Sequence, residues 1–245
     1  MATFLSWAAA LPAVLAVALL AWVIATVRRN VGLVDIFWPL FFLVAAWVYS
    51  SDALVLALVF AWGLRLAAYL AWRNWNAPED RRYVEIRTRN EPNFAFKSLY
   101  LVFGLQAVLA WLISSSLLFP VDGLLGRAGA CLVLGGIAFE ALADWQLARF
   151  KADPANAGAV MDRGLWRYTR HPNYFGEFCV WWGFWLIAAG AGGAWTIFSP
   201  LLMTVLLLRV SGVRLLEKDI GERRPAYAEY VRRTNAFLPG PRRAA

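Results

Sequence analysis

Two cysteines and a single histidine in 245 residues exclude several kinds of chemistry at once. Cys131 and Cys179 both lie inside apolar runs and form no CxxC pair, so there is no disulfide framework and no thiolate metal site, and the lone His171 cannot anchor a zinc or haem centre. No metal is expected. Charge is also scarce, at 16% Asp, Glu, Lys and Arg, against about a quarter in an ordinary soluble domain. Neither a Walker sequence nor a glycine-rich dinucleotide fingerprint occurs; Gly190, Gly192 and Gly193 fall in a turn between apolar segments with no strand before them, so a nucleotide would have to bind helices and loops. There is no internal repeat and no low-complexity linker, and a single domain over 1–245 is the simplest partition. What is present is apolar: 61% hydrophobic residues and 14 Trp describe a membrane protein. The formal charge of +8 is confined to loops between apolar spans, which is what membrane orientation produces, so no nucleic-acid partner is expected.

A bilayer core requires about 20 apolar residues of helix. Seven runs qualify: Phe4 to Val27, Val31 to Tyr49, Ala53 to Trp72, Ser98 to Phe119, Leu124 to Leu147, Tyr174 to Ala189 and Ala194 to Leu216. The first lacks a positive n-region and exceeds the length of a signal-peptide core, so it reads as a retained span. Of the 24 Lys and Arg, 22 lie in four segments: Arg28–Arg29, Arg73–Lys97, Arg149–Arg170, and from Arg209 onward. With an odd number of spans all four fall on one side, and the positive-inside rule then puts the N-terminus outside and the C-terminal tail in the cytosol. The expected fold is all-α, a polytopic membrane protein of seven transmembrane helices.

Ionisable residues inside spans are costly and mark functional sites by default. Asp35, Arg65, Glu140, Asp144, Glu177 and Glu217 all fall in the cytosolic halves of their helices, which predicts a shared water-filled cavity open to the cytosol. Helical spacing sharpens the expectation. Arg65, Tyr69 and Arg73 line one face of span 3, with Arg65 about 12 Å deeper than Arg73. Glu140 and Asp144 form a carboxylate pair on span 5, and Asn173, Glu177 and Trp181 form a stripe on span 6. Residues 161–177 lead a basic loop into that sixth helix. Pro172 suits its first turn, so the helix N-terminus would face the cavity beside Arg163, Arg167, Arg170 and His171, an arrangement suited to an anion.

The run GLWRYTRHPNYFGE, with the downstream LLEKDI and YAEYVRRTNAFLP and the upstream VDIFWP and WGLRL, resembles the steroid 5α-reductase family over essentially the whole chain, and in particular its bacterial branch, long known as a domain of unknown function. The RHPxYxG core is shared with membrane methyltransferases such as isoprenylcysteine carboxyl methyltransferase; N-Y-F-G-E and Asp144 follow the reductase version. The alternative activity is accordingly S-adenosylmethionine-dependent methyl transfer to a lipid or thiol. That cofactor carries no phosphate, and a loop with Arg163, Arg167 and Arg170 suits a pyrophosphate better.

The resemblance implies an NADPH-dependent reductase of the carbon–carbon double bond of a lipid-soluble enone such as a 3-oxo-Δ4 steroid, in the bacterial inner membrane. It makes residues 1–120 mainly the substrate half and 121–245 mainly the cofactor half. Arg65, Tyr69, Asp144, Tyr168, Asn173, Glu177 and Trp181 match the family's cofactor-binding residues. Glu140 stands where eukaryotic members have Asn, and Lys151 where they have Arg. Arg73, Arg163, Arg170 and His171 join this cofactor set as phosphate-side contacts. Asp35 aligns with the catalytic Glu, and the carbonyl-binding Tyr aligns with Trp62, which donates a hydrogen bond but cannot transfer a proton. In this reading a protonated Asp35, in apolar surroundings, polarises the carbonyl.

Overall fold

The computed structural model describes residues 2–210 and 226–243. Glu217 and the LLEKDI motif lie outside the described residues, within which the chain is helical and contains no strand. The helices are α1 (Ala2–Val27), α2 (Val34–Tyr49), α3 (Ala53–Asn74), α4 (Arg81–Asn90), α5 (Phe94–Ser98), α6 (Leu105–Ile113), α7 (Gly123–Ala152), α8 (Pro172–Gly190), α9 (Phe198–Val205) and α10 (Ala226–Arg233). A π-helical segment, Leu99–Gly104, fuses α5 to α6, and a second, Leu206–Val210, follows α9.

Among the described residues five helices are long and apolar enough to cross a membrane: Leu5–Val27, Val31–Tyr49, Ala53–Asn74, Phe94–Leu118 and Gly123–Ala152. The protein is an integral membrane protein. The sixth expected run falls in α8, which has 19 residues yet places Asn173 and Glu177 in its first two turns, and of the seventh the described part, Ala194–Arg209, is a shorter apolar helix. The loop expected between spans 3 and 4 also contains a helix of its own, α4, whose N-terminus is capped by Asp80 accepting from the Arg82 N–H at 2.9 Å.

Small residues set the helix spacing. On α1, Ala10, Val14, Ala18, Ala21 and Ala25 recur every three to four residues, are buried, and pack on α2, while Leu15, Leu19 and Leu20 of the same helix face outward. The α7–α8 pair packs most extensively of all. A Cβ on Gly136 would lie 2.7 Å from the Gly176 carbonyl oxygen, and one on Gly176 would lie 2.6 Å from Glu140 Cβ. Only glycine permits this approach, and it brings the acidic stripe of α7 directly against the first turns of α8. The ends opposite the basic loops are tied by polar contacts: Tyr49 Oη donates to the Ser114 carbonyl at 2.5 Å, and Ser199 Oγ donates to the Ile113 carbonyl. Both carbonyls sit where α6 gives way to a 3-10 turn and loses its own helical donors.

Candidate functional site: a polar cavity at the basic end of the bundle

A cavity of about 350 Å³ opens among α2, α3, α4, α6, α7, α8 and α9 at the end that carries the basic loops. Two polar constellations meet at it.

The first is built by α3, α7 and α8. Arg65 Nη2 lies 2.6 Å from Glu140 Oε2, and Arg65 Nη1 lies 2.9 Å from Asp144 Oδ2. Asn173 Nδ2 donates to Asp144 Oδ1 at 3.3 Å. Glu177, one turn further along α8, completes the group, and Glu140, Asp144 and Glu177 are all buried. One guanidinium therefore faces three carboxylates. The i, i+4 spacing of Glu140 with Asp144 and of Asn173 with Glu177 puts each pair on one face, and the glycine contact between α7 and α8 brings the two faces together. Behind this wall Trp62 and Trp181 are fully buried, edge to face with ring centroids 5.4 Å apart. Trp62 lies beside Glu140, within reach of its carboxylate.

The second constellation joins α2 to α4. Tyr83 Oη donates to Asp35 Oδ1 at 2.6 Å, and Arg82 Nη2 donates to Asp35 Oδ2 at 2.9 Å. Gln106 Nε2 of α6 donates to Tyr83 Oη at 3.2 Å. Arg82 also reaches back to Asp80, Nε to Oδ1 at 2.9 Å. The approach of α4 is fixed by Glu79, which accepts from the Val31 N–H at 2.6 Å and pairs with Arg87 at 2.9 Å. Burial and the neighbouring Asp35 carboxylate push the Tyr83 phenol well above the usual tyrosine range. Burial works against the Arg82 cation, but Asp35 and Asp80 outweigh it and raise its pKa. Asp80 is opposed by burial in the same way and is nevertheless held below the usual carboxylate range by its bonds to Arg82.

Among the predicted site residues, Asp35, Tyr69, Arg73, Glu140, Asp144, Asn173 and Glu177 line the cavity together, and they come from both halves of the chain. Arg65 sits behind Asp144, on a smaller cavity of about 250 Å³ that shares Tyr69 and Asp144 with the first. The remaining predicted residues do not line the large cavity. Trp62 and Trp181 are sealed behind its wall. Lys151, Arg163 and Tyr168 are exposed. Arg170 turns away from the cavity: its Nη1 donates to the carbonyls of Val231 and Thr234, at 3.1 and 2.6 Å, and fastens the tail. His171 stacks on Tyr174 with centroids 5.6 Å apart. Pro172 does open α8, as its position predicts.

Two corrections follow for the substrate side. Asp35 is not an isolated acid among aromatic residues; Arg82 and Tyr83 arrive from α4, 47 and 48 residues along the chain, and occupy both of its oxygens. Trp62 is too deeply packed to face a cavity ligand, whereas Tyr83 lines the cavity. Tyr83, Arg82 and Gln106 were missed because neither periodicity nor spacing links a short basic loop helix to span 2. The capping pattern Asp80-Arg-Arg-Tyr83 is the one local signal that a helix starts there.

A family model described as a protein of unknown function, DUF1295, matches residues 21–234. The chain belongs to the DUF1295 family. Its matched region contains the whole cavity, from Asp35 to Leu207. A relative, the uncharacterized protein C594.04c of Schizosaccharomyces pombe, is 35% identical over 95 residues, which are 37% of this chain and 27% of the yeast protein. The chain thus spans about a quarter of that relative's length. No solved structure matches it.

Proposed function

We propose that this protein is a membrane-embedded, NADPH-dependent reductase of the activated double bond of a lipid-soluble enone. It would have seven spans, with the N-terminus outside and the cavity open to the cytosol of a bacterial inner membrane. The observation that carries the reading is the pairing, inside one cavity, of the Tyr83 and Arg82 donors held on Asp35 with an amide- and carboxylate-rich wall on α7 and α8.

The two walls have the functional groups that an enone reduction needs. Asn173, Glu177 and Glu140 offer the donors and acceptors that would orient a carboxamide, and Arg73 at the cavity rim offers a cation for a phosphate. A cavity of about 350 Å³ suits the nicotinamide end of the cofactor, with the phosphates lying outside it at the basic rim. Bound NADPH would supply the hydride. On the other wall, Tyr83 Oη and Arg82 donate to the two oxygens of Asp35; the Tyr83 O–H would turn from Asp35 to a carbonyl oxygen when one binds, and Arg82 has further N–H donors for it. A carbonyl oxygen placed there gains negative charge as its β-carbon is reduced. The Tyr83 O–H and the Arg82 charge would stabilise that oxygen, and the α-carbon would take its proton from water in the open cavity. In this arrangement Asp35 is a positioning residue, and Tyr83 with Arg82 touches the reacting oxygen.

The test is direct binding. Protein purified from membranes should bind NADPH, read by energy transfer from its tryptophans to the dihydronicotinamide, and should oxidise it when an enone lipid is added. Tight S-adenosylmethionine binding with no NADPH response would overturn the reading in favour of a methyltransferase.

A further inference from the structure

The cavity wall is not equally thick all round. On the α7–α8 side it is closed by glycine contacts and by Trp62 and Trp181. On the side of α6 and α9 it is formed by Leu101, Leu105, Leu109, Met203 and Leu206. Two of these, Leu101 and Leu105, remain 37% and 54% exposed, so no second layer of side chains packs over them and the wall there is one residue deep.

Both helices of this flank change from α to π where they meet the cavity. The segment Leu99–Gly104 contributes Leu101 and Val102, and Leu206–Val210 contributes Leu206 and Leu207. Packing between the two helices lies along α6 and α9 and thins towards the π segments. A π turn carries an extra residue per turn and is found mostly at functional sites, because it gives up regular helix geometry to re-aim side chains. Two of them facing one cavity form a seam that opens without breaking a regular helix.

Polarity is uneven around the cavity. Asp35, Arg82 and Tyr83 on one side and the acidic stripe of α7 and α8 on another make it polar, Gln106 is the polar residue on α6, and the leucines of α6 and of the two π segments make the remaining side apolar. The volume, about 350 Å³, is near the lower limit of ligand pockets, which run from about 300 to 1,000 Å³. A long lipid does not fit inside it.

We infer that the cavity opens sideways into the bilayer between α6 and α9, and that its substrate is a long-chain amphiphile bound with its carbonyl end at Tyr83 and Arg82 and its chain leaving past Leu101 and Leu105 into the lipid. The carbonyl rests on the enone reading above; the lateral opening does not.

The experiment uses the full chain in lipid nanodiscs and a saturated palmityl methyl ketone with a diazirine at the end of its chain, which binds but offers no double bond to reduce. Photolabelling is expected on Leu99–Ile113 and Ala194–Arg209, and an excess of the unlabelled ketone should remove it. Labelling on α4 or around Arg73, labelling inside α7 and α8, or labelling that the competitor leaves unchanged would overturn the lateral opening. Leu101→Trp and Leu105→Trp, made singly, thicken the seam from the lipid side. Each should weaken the long ketone by about ten-fold more than it weakens butanone, which fits inside the cavity. Equal weakening of both ketones would mean a filled cavity and no passage. Competed seam labelling in a protein that never oxidises NADPH would sink the reductase reading alone. Enone reduction without seam labelling would sink this inference alone.

Discussion

Asp35 on α2 and Tyr83 on α4 share a hydrogen bond of 2.6 Å across 48 residues of sequence, and Arg82 closes on the other carboxylate oxygen at 2.9 Å. This three-residue junction is where a loop helix becomes part of the cavity wall, and in the proposed reaction it would separate substrate chemistry from cofactor binding. Tyr83→Phe removes one donor and leaves the Asp35–Arg82 ion pair in place. If Tyr83 acts on the carbonyl, kcat should fall by about 10²- to 10³-fold, the usual loss for one oxyanion-type donor, with NADPH affinity within about two-fold of the parent. Asp35→Asn should also lower kcat, by about ten-fold or more, and should in addition lower the melting temperature because Arg82 loses its main partner. Steady-state kinetics alongside fluorescence titration of NADPH check both; full turnover by Tyr83→Phe would remove it from the chemistry.

Arg65 is the cation that balances Glu140 and Asp144 within the membrane. Taking away one partner of a buried ion pair costs about 3–5 kcal/mol, because the remaining charge is left uncompensated. Arg65→Ala should therefore lower the yield of folded protein as well as cofactor binding. Arg65→Lys, which retains the charge but not the forked geometry, should recover stability and only part of the NADPH affinity. Thermal unfolding in detergent and NADPH titration separate the two effects. An Arg65→Ala protein of unchanged stability would show that the cluster does not depend on this pair.

The positions of the intramembrane charges were legible in the sequence because membrane burial makes each one conspicuous. Helical periodicity then placed Arg65 with Tyr69 and Arg73, Glu140 with Asp144, and Asn173 with Glu177 correctly on common faces. The sequence could not show which charge meets which. Pairing Asp35 with Arg82 depends on a tertiary approach of α4 fixed by Glu79, Val31 and Arg87, and no local pattern encodes it. Arg170 shows the same limit in the loop that precedes α8. A basic loop next to a helix N-terminus suits a phosphate, but Arg170 is drawn to the bare carbonyls at the end of α10, where Thr234 and Val231 need donors. Trp62, the position that aligns with the family's carbonyl-binding residue, is sealed behind the cavity wall, and Tyr83, which lines the cavity, comes from a different helix.

Tyr83 gives a pH signature. Its phenol is held well above the ordinary value of 10.0 by burial and by the Asp35 carboxylate. A group with a raised folded pKa contributes stability that is fully present below its unfolded pKa and lost as pH rises through its folded pKa. Stability should thus be insensitive to Tyr83 below about pH 10 and fall above it. In a spectrophotometric titration, exposed tyrosines should ionise near their ordinary value while Tyr83 stays protonated. The difference between the parent and Tyr83→Phe should be flat through that range, and the alkaline loss of stability should be shallower in the variant. A tyrosinate signal near pH 10 that vanishes in Tyr83→Phe would contradict the buried hydrogen bond.

Gly176 controls how closely α8 approaches the acidic stripe of α7. A methyl group there would lie 2.6 Å from Glu140 Cβ and 2.7 Å from the Glu140 backbone nitrogen, so a side-chain rotation cannot relieve the clash and the helices must separate. Separation would lengthen the bond from Asn173 to Asp144, already 3.3 Å, and move Glu177 away from Glu140. Gly176→Ala should therefore cost about 1–3 kcal/mol, the usual range for overpacking a closed contact, and should weaken NADPH binding although residue 176 has no polar side chain. Gly135 on α7 supplies the control, since a Cβ there would meet nothing within 4 Å. Gly135→Ala should be neutral or stabilising by up to about 1 kcal/mol through helix propensity alone. Thermal unfolding and cofactor titration of the two variants side by side decide the matter. If both glycines tolerate alanine equally, the close approach of α7 and α8 is not what assembles the polar wall.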